Sequence, residues 1–508
     1  MDPPERLGMF RVVCLLAVLD TVCLLDTGML FPRESSSREV KELNGLWDFR
    51  ADKSPNRNQG FDRAWYKSRL AETGPVIDMP VPASYNDITQ DPALRDFIGW
   101  VWYEREVVVP ARWVADEGTR VVLRVGSAHY YSVVWVNGVK VTEHDGGHLP
   151  FEVEIGSLIR KDPTVPCRIT IAVNNTLTLE TLPPGTIQHM DDRTKYPEGF
   201  FVQNIYFDFF NYAGIHRPVL LYTTPKAYVD DITVVTDFLD NTGLVKYNVS
   251  VQGAANATLS VTLIDKDGRC VATSNGPAGV LKVVDVKLWW PYLMHDNPGY
   301  LYSMEVRQHG YIRIQTRNGA FCFSYRTLIQ HTKALDPARP VTYITDSNYA
   351  RDKGAPYVDV ICVNSYFSWY HDPGHLEVIP IQLNTQFENW YGKYQKPIIQ
   401  SEYGADAVPG IHSDPPVMFT EEYQKVVLQS YHNVFDQKRK QYVIGELIWN
   451  FADFMTVQGI TRVVGNKKGV FTRQRQPKAA AFILRERYWR LANETGRLPP
   501  WTKYPCSL

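Results

Sequence analysis

This sequence has few cysteines, no excess of either charge and almost no long apolar runs. Its 508 residues include 7 cysteines, and no two of them have Cys-x-x-Cys spacing. A disulfide framework or a cysteine-bound zinc site is therefore not expected. The 54 Lys and Arg residues balance 55 Asp and Glu residues, which excludes the strongly basic surface of a typical nucleic-acid binder. Beyond the first segment we expect mostly buried thiols, at Cys167, Cys270, Cys322, Cys362 and Cys506.

The one extended apolar run lies near the N-terminus, from Met9 to Leu25, and is too short to span a membrane comfortably. Arg6 precedes it, which fits a secretory signal, although Asp20 interrupts the apolar residues. We predict a signal peptide at 1–26, with a ragged cytosolic terminus as the alternative. Four Asn-x-Ser/Thr tripeptides, a pattern that also arises by chance, fit N-glycosylation on that route: Asn174, Asn248, Asn256 and Asn493.

Length and residue pattern predict several domains. A prior of ~150 residues per domain gives roughly three. From about residue 95 to residue 306, short β-branched runs alternate apolar and polar residues, which is typical of β-sandwiches. Asn137-Gly138 and Asp267-Gly268 supply the positive φ angles that tight hairpin turns need. The alternation breaks near 221–225 and then resumes, so we predict two β-sandwiches in series.

Beyond residue 325 the pattern changes to short apolar runs separated by helical stretches, which is typical of a parallel α/β fold. The predicted strands are 341–345, 358–364, 397–402 and 443–450. The predicted helices are the segment before Asp336, 376–394, 419–435 and 478–492. A (β/α)8 barrel needs eight strands and typically ~250 residues, whereas 326–508 holds 183 residues. The pattern therefore predicts about half of a barrel.

Five long phrases carry a resemblance to a known family: Phe97-Ile-Gly-Trp-Val-Trp-Tyr-Glu-Arg-Glu, Tyr206-Phe-Asp-Phe-Phe-Asn-Tyr-Ala-Gly, Leu288-Trp-Trp-Pro-Tyr-Leu, Ile399-Gln-Ser-Glu-Tyr-Gly-Ala and Leu447-Ile-Trp-Asn-Phe-Ala-Asp-Phe. Together they resemble the mammalian, lysosomal type of β-glucuronidase in glycoside hydrolase family 2. The resemblance extends from about Gly28 to Glu494, but it stops between Val306 and about Tyr325. Family members would run through the first four barrel strands there.

The resemblance implies a multidomain fold and a place in the cell. Its parts would be a sugar-binding jelly-roll β-sandwich at 27–224, an immunoglobulin-like β-sandwich at 225–310 and a partial (β/α)8 TIM barrel at 326–508. It implies a lysosomal glycoprotein that reaches its compartment through the secretory pathway. It also implies a homotetramer with neither cofactor nor metal. The order of domains agrees with the change of pattern along the chain.

Glu402 is the first candidate for catalysis. It follows an apolar run and precedes Tyr403-Gly404, so it lies at the carboxyl end of a predicted strand, where barrel enzymes place their chemistry. Taken alone, such a glutamate is more often a salt-bridged or solvated residue. By the Ser-Glu-Tyr-Gly phrase of the family, Glu402 is similar to the nucleophile of a retaining glycosidase.

A retaining glycosidase also needs a second carboxyl group, about 5 to 5.5 Å from the first, to protonate the leaving oxygen. In the family this acid/base lies in an Asn-Glu-Pro phrase, and no such phrase occurs in the chain. Asn493-Glu494 precedes threonine and belongs to a terminal sequon. Glu446 and Asp453 are substitutes by position, but structural roles are expected for both. We therefore predict that the acid/base is absent.

Five more residues match substrate-binding positions of the family. Asn466 and Lys468 resemble its clamp for the glucuronate carboxylate, although a solvated basic turn is the ordinary interpretation of such a phrase. Tyr366 matches a tyrosine beside the nucleophile, and Trp449 matches an aromatic wall; core packing is the alternative for each. Asp192 matches a jelly-roll loop aspartate that reaches the sugar, with a simple turn cap as the alternative.

Two functions follow from these residues. The first is an exo-acting β-glucuronidase that removes terminal β-D-glucuronic acid from glycosaminoglycan fragments and glucuronide conjugates. The second is a catalytically impaired or inactive form that at most binds glycans or pairs with other subunits. Loss of general acid catalysis lowers the rate by ~10² to 10⁴-fold. Four parallel strands without partners leave two open edges. Both effects favour the second function.

Overall fold

The computed structural model describes residues 30–159, 165–253, 258–291, 294–309, 325–345 and 348–496. The predicted signal peptide at 1–26, Asn256, Cys322 and Cys506 lie outside the described residues, as does the segment 310–324. The chain divides into two compact units, Met1–Gly319 and Ala320–Leu508. Within the described residues, no helix combines the length and the apolar character needed to cross a membrane.

The first part of unit 1 is a pair of facing β-sheets. Its strands in chain order are β1 Val40–Glu42, β2 Gly45–Ala51, β3 Ile77–Val81, β4 Trp100–Val107, β5 Thr119–Val125, β6 Ala128–His129, β7 Tyr131–Val136, β8 Val139–Asp145, β9 Phe151–Glu154, β10 Cys167–Asn174, β11 Gly185–His189, β12 Phe201–Ile205, β13 Gly214–Ile215 and β14 Val219–Pro225. Short helices lie between them: α1 Gln59–Asp62, α2 Leu70–Thr73, α3 Tyr85–Ile88, α4 Pro92–Arg95, α5 Ala111–Ala115, α6 Gly156–Ile159 and a 3-10 turn at Trp65–Lys67.

A four-stranded sheet, β1-β14-β5-β9, faces a six-stranded sheet, β3-β2-β4-β10-β7-β8. Both sheets contribute alternate residues to one buried core; Leu123 and Leu221 come from the first, and Phe49, Tyr103 and Ile171 come from the second. Burial of alternate residues on one face of each strand explains the period-two pattern of the sequence. Two small hairpin sheets, β11-β12 and β13-β6, complete this part.

The Asn137-Gly138 turn was predicted correctly. It joins β7 to β8 with Val136 opposite Val139, and its φ angles are 52° at Asn137 and 78° at Gly138. Two successive positive φ angles are the signature of the turn type that matches strand twist. The Asp267-Gly268 turn also forms, between β17 and β18, in a slightly longer loop where Gly268 has φ of 81°.

The second part of unit 1 is a smaller pair of sheets, β15-β16-β19 and β18-β17-β20. Its strands are β15 Tyr228–Leu239, β16 Thr242–Gln252, β17 Thr258–Ile264, β18 Cys270–Asn275, β19 Ala278–Val284 and β20 Ser303–His309. Tyr247, Val261 and Leu281 lie in the core shared by the two sheets. The prediction of core thiols is right for Cys167 and Cys362, but wrong for Cys270, which is exposed at the start of its strand.

Unit 2 alternates helices with parallel strands, in the predicted order. Its elements are α7 Tyr325–Leu335, β21 Ile344–Thr345, β22 Ile361–Asn364, a 3-10 turn Leu376–Val378, α8 Ile379–Tyr394, β23 Ile398–Glu402, α9 Glu421–Lys438, β24 Val443–Glu446 and α10 Ala479–Glu494. The strands form one parallel sheet in the order β21-β22-β23-β24. Phe387 of α8 and Tyr431 of α9 are fully buried in its core. This packing brings all four carboxyl ends to one edge of the sheet.

All four strands of unit 2 are shorter than predicted; β22 begins at Ile361 rather than residue 358, and β23 begins at Ile398 rather than residue 397. The first was expected to begin at Val341, but Val341 N donates to Asp359 Oδ2 at 2.8 Å and Thr342 Oγ1 donates to Val360 O at 2.7 Å. Only one backbone bond joins these segments there, from Asp359 N to Val341 O at 2.8 Å, and side-chain hydrogen bonds make the other two contacts. The last strand was expected to reach residue 450; it ends at Glu446, although Leu447 N still donates to Gln400 O at 2.8 Å.

Three histidine rings meet in unit 1, and we call His129, His148 and His216 the histidine cluster. The ring centroid of His129 lies 3.9 Å from that of His216 and 4.2 Å from that of His148. Burial, with repulsion from His216, lowers the pKa of His129 to about 3. Burial also lowers the pKa of His216 to about 4. The two buried rings are therefore neutral around pH 6 to 7.

Candidate active site

The end of β23 carries Glu402, and hydrogen bonds from β22 hold it in place. Ser365 N donates to Glu402 O at 3.2 Å across the parallel pair. The buried amide of Gln400 donates to Ser365 Oγ at 2.9 Å and to Glu402 O at 2.7 Å. The side chain of Glu402 is partly exposed. The local network therefore fixes the backbone while the carboxylate stays accessible.

Tyr366 lies directly beside this carboxylate. Its hydroxyl donates to Glu402 Oε2 at 2.5 Å. Burial and this hydrogen bond raise the pKa of Tyr366 far above its usual range, so the phenol remains a proton donor. Tyr431 supports the segment, because its hydroxyl accepts from Phe367 N at 2.8 Å and donates to Ser365 O at 3.1 Å.

Lys468 contacts the same tyrosine from the other side. Its ammonium group lies 5.4 Å from the centroid of the Tyr366 ring, 5.0 Å from that of Trp369 and 4.8 Å from that of Tyr370. Such distances are those of cation–π contacts. Asn466 fixes the loop, since its Oδ1 accepts from Lys468 N at 3.0 Å, and both side chains are buried. The structure thus brings Glu402, Tyr366, Asn466 and Lys468 together.

A carboxylate that was not predicted neutralises Lys468. The Lys468 Nζ atom lies 2.5 Å from Asp406 Oδ2, and both side chains have 0% exposure. It also donates to Tyr370 Oη at 3.1 Å, so these contacts use two of its three N–H donors. Asp406 follows Glu402 by only four residues. The signal that could have revealed it is the expected burial of a lysine, which requires a nearby counter-charge.

Trp449 follows the end of β24 and lies against the loop after Glu402. Its backbone N–H donates to Tyr403 O at 3.0 Å, and the residue is partly exposed. Gly404 has φ of 154°, and a Cβ atom there would lie 2.4 Å from Trp449 O. The glycine of the Ser-Glu-Tyr-Gly phrase is therefore required by the close approach of the two loops.

Glu446 and Asp453, the two substitutes considered for the acid/base, form ion pairs within unit 2. Glu446 accepts from Arg487 Nε and an Arg487 terminal nitrogen, both at 2.6 Å. Asp453 is buried and accepts from Lys478 Nζ at 2.8 Å. Burial raises the pKa of Asp453, an effect that Lys478 opposes. Both residues have the structural partners that the sequence led us to expect.

Asp192 lies in unit 1, in an exposed turn. Its Oδ1 accepts from Thr194 N at 3.0 Å and from Thr194 Oγ1 at 2.6 Å, and Lys195 Nζ lies 2.7 Å from its Oδ2. The hydrogen bonds from Lys195 and Thr194 lower its pKa. These contacts are those of a turn cap, the alternative considered for this residue.

Three of the four sequons lie in strands or helices within the part of the chain that the structure describes. Asn174 ends β10, Asn248 is exposed in β16, and Asn493 is exposed in α10. Within the described part of the chain, no group of three His, Cys, Asp or Glu side chains is placed to hold a metal ion.

Comparison with known proteins identifies related sequences and structures. A family model described as glycosyl hydrolases family 2, sugar binding domain, matches residues 40–225, and one described as glycosyl hydrolases family 2, TIM barrel domain, matches 318–493. The chain is 50% identical to a protein named beta-glucuronidase from Felis catus, with 94% of each chain covered. It is 49% identical to the protein of that name from Homo sapiens, with 95% of each covered.

Solved structures give the same result. A beta-D-glucuronidase from Dictyoglomus thermophilum is 36% identical, with a TM-score of 0.77, and the match covers 91% of this chain and 99% of that one. A β-glucuronidase from Ruminococcus gnavus in complex with D-glucuronic acid is 25% identical, with a TM-score of 0.77 and coverage of 91% and 100%.

The alignment with the cat protein is longer than this chain. The alignment with the cat protein extends over 617 positions, whereas this chain has 508 residues. At least 109 of those positions, the difference between the two lengths, must therefore face gaps in this chain.

Proposed function

Because the chain belongs to the β-glucuronidases of glycosyl hydrolase family 2, we propose that it is a retaining glycosidase acting on terminal β-D-glucuronides, with Glu402 as its nucleophile. The observation that carries this proposal is the joint placement of Glu402, Tyr366 and Lys468 at the strand ends of unit 2. Glycosaminoglycan fragments and glucuronide conjugates are the proposed substrates.

The contacts of Glu402 suit a nucleophile. A carboxylate that attacks the anomeric carbon must be ionised and accessible. The short hydrogen bond from Tyr366 stabilises the ionised form. When the carboxylate becomes an ester, its charge disappears, and the same phenol is then free to donate to the ring oxygen of the sugar.

Lys468 and Asn466 are proposed to select glucuronate over neutral sugars. A substrate carboxylate would be recognised by the positive charge of Lys468 and the amide side chain of Asn466. Tyr370 and Trp369, which enclose the ammonium group, would exclude water and so strengthen the contact. Trp449 is proposed as an aromatic wall for the sugar ring.

Three observations favour a second, catalytically impaired function for the same site. They are the gapped positions of the alignment, the four-stranded parallel sheet and the lack of an Asn-Glu-Pro phrase, and they support loss of the first half of the barrel and of its acid/base. Glu446 and Asp453 are already paired with Arg487 and Lys478. We therefore propose that the nucleophile operates without a general acid.

Substrates with different leaving groups test both proposals. Fluoride leaves β-glucuronyl fluoride without protonation, whereas an alkyl β-glucuronide needs an acid. We expect fluoride release that is lost in Glu402→Gln, and accelerated turnover with azide, which forms the β-glucuronyl azide. Relative to the cat protein, kcat/KM for the alkyl substrate should fall by ~10² to 10⁴-fold more than for the fluoride.

The two proposals fail separately in this experiment. If Glu402→Gln releases fluoride at an undiminished rate, the assignment of the nucleophile is wrong. If the alkyl and fluoride substrates keep the rate ratio of the cat protein, the chain has an acid/base and the impairment is refuted.

We propose the domain limits 27–224 for a jelly-roll domain, 225–310 for an immunoglobulin-like domain and 326–508 for a partial TIM barrel. The adjoining strands β14 and β15 end and begin at Pro225 and Tyr228, which supports the first limit. A signal peptide, N-glycosylation at the four sequons, delivery to the lysosome and assembly into a homotetramer are proposed on the similarity to the mammalian proteins.

A further inference from the structure

An aromatic groove lies on the outer face of the six-stranded sheet in unit 1. It has a volume of about 660 Å³, and five aromatic residues line it together with Asn58, Val133, Lys140 and Glu143. We use the name aromatic groove for the surface formed by Phe61, Tyr66, Trp100, Tyr131 and Trp135. Trp135 is buried beneath the others, whereas the remaining four rings are only partly covered.

Strand register places Asn174 at one end of this groove. Asn174 of β10 pairs directly with Trp100 on β4 and with Tyr131 on β7. Directly opposed residues project from the same face of an antiparallel sheet. Two residues earlier, Ala172 pairs with Trp102 in the buried cluster below the groove, which confirms that this face is the groove side.

The rings on either side of Asn174 form an open platform. The centroids of Trp100 and Tyr131 lie 5.7 Å apart, with an angle of 68° between the ring planes. Phe61 adds a third ring, 4.7 Å from that of Trp100. Large aromatic surfaces that remain exposed beside polar groups are typical of ligand sites rather than of a closed core.

The side chain of Asn174 has the geometry of an accessible sequon. Its Oδ1 accepts from Thr176 N at 3.0 Å, and the side chain is only partly buried. Within the part of the chain that the structure describes, its Nδ2 donates no hydrogen bond. The nitrogen atom to which a glycan would be attached, Asn174 Nδ2, is therefore not used in a hydrogen bond within the described structure.

A polar rim faces the platform. Glu143 Oε2 accepts from Tyr131 Oη and from Lys140 Nζ, each at 2.8 Å. Both Glu143 and Lys140 are exposed. The Oε1 atom and the two remaining ammonium N–H groups suit the acetamido and hydroxyl groups of an amino sugar.

We infer that the first N-acetylglucosamine of the N-linked glycan proposed at Asn174 lies against Trp100 and Tyr131 in the aromatic groove. In the attachment step, Asn174 Nδ2 forms a bond to C1 of a lipid diphosphate-linked oligosaccharide. The bond from C1 to the diphosphate breaks, and Nδ2 loses one proton. The inference rests on the proposed secretory route, since that route supplies this donor.

The test compares how much a single N-acetylglucosamine at each of two sequons raises the Tm of the full-length, secreted chain. Asn248 is the matched control, because its cross-strand neighbours are Thr233 and Ala278, and neither is aromatic. When the chain is produced with high-mannose glycans, endoglycosidase H trims each glycan to one N-acetylglucosamine, and mass spectrometry of the peptides verifies it. We expect Asn174→Gln to lower the Tm of unit 1 by about 2–4 °C, and Asn248→Gln to lower it by less than about 1 °C.

The aromatic contribution is tested by a double-mutant comparison. In a Trp100→Leu background, Asn174→Gln should change Tm no more than Asn248→Gln does, because the platform is gone. An Asn174→Gln effect that persists in full in Trp100→Leu would overturn the stacking. Glycans at the other sequons with none at Asn174 would overturn the inference, whereas glycans at no sequon would refute the secretory route on which it rests.

Discussion

The Lys468–Asp406 pair allows a sharp test of how the candidate site is held together. Both side chains have 0% exposure, and the charged atoms lie 2.5 Å apart. Removal of one partner from such a pair leaves an unpaired buried charge and typically destabilises a protein by about 3–5 kcal/mol. We therefore expect Asp406→Asn to destabilise unit 2 by about 3 kcal/mol or more.

The double variant should behave differently from either single one. Lys468→Met together with Asp406→Leu removes both charges and keeps apolar volume, and such replacements are often neutral or stabilising. We expect it to recover most of the stability that Asp406→Asn loses. It should still fail to bind glucuronate, because the proposed clamp has lost its cation.

Hydrogen exchange in the full-length chain measures this effect within unit 2. Amides of α9 (Glu421–Lys438) are suitable reporters, because Gln424 in that helix donates to Ala405 O at 3.0 Å and to Lys468 O at 3.2 Å. A loss of 3 kcal/mol corresponds to exchange faster by ~10²-fold.

An exposed pair supplies the control for this prediction. Lys140 and Glu143 lie 2.8 Å apart with side chains 53% and 52% exposed, so Lys140→Met should change stability by less than about 1 kcal/mol. If Asp406→Asn changes exchange in α9 no more than about fivefold, the argument from buried charge is refuted.

Three further predictions concern a hydroxyl, a histidine and a glycine. Tyr366→Phe removes the hydrogen bond to the nucleophile and should lower kcat on β-glucuronyl fluoride by ~10-fold or more, whereas Tyr394→Phe, which loses a hydrogen bond to a backbone carbonyl, should not. The lowered pKa of His129 means that its neutral form stabilises the fold fully above about pH 6.5 and progressively less as the pH falls toward 3; the Tm of His129→Asn should therefore decline less between pH 6.5 and 4 than that of the natural chain. Gly404→Ala meets a backbone oxygen at 2.4 Å and should lower both stability and activity, whereas Gly410→Ala, which has open space around its Cβ, should change stability less; equal effects in thermal unfolding would contradict the steric argument.

Local patterns predicted most elements because local chemistry determines them. The Asn137-Gly138 hairpin follows from two residues that tolerate positive φ angles. The strand ending at Glu402 and the helix after it follow from apolar periodicity over five to eighteen residues. Strand ends were less predictable, because they depend on contacts between segments. Val341 N donates to the Asp359 side chain, and Thr342 Oγ1 donates to Val360 O, 18 residues further along the chain.

The sequence by itself determined the order of the folded parts and the family to which the chain belongs, since both depend on long phrases and on short-range periodicity. It also pointed to Glu402, Tyr366, Asn466 and Lys468, which the fold brings together from three separate segments. Only the tertiary structure decided that Asp406 neutralises Lys468 and that Asn174 stands between Trp100 and Tyr131. A buried ion pair and a cross-strand neighbour depend on loop packing and strand register, and these join residues that no local pattern in the sequence connects.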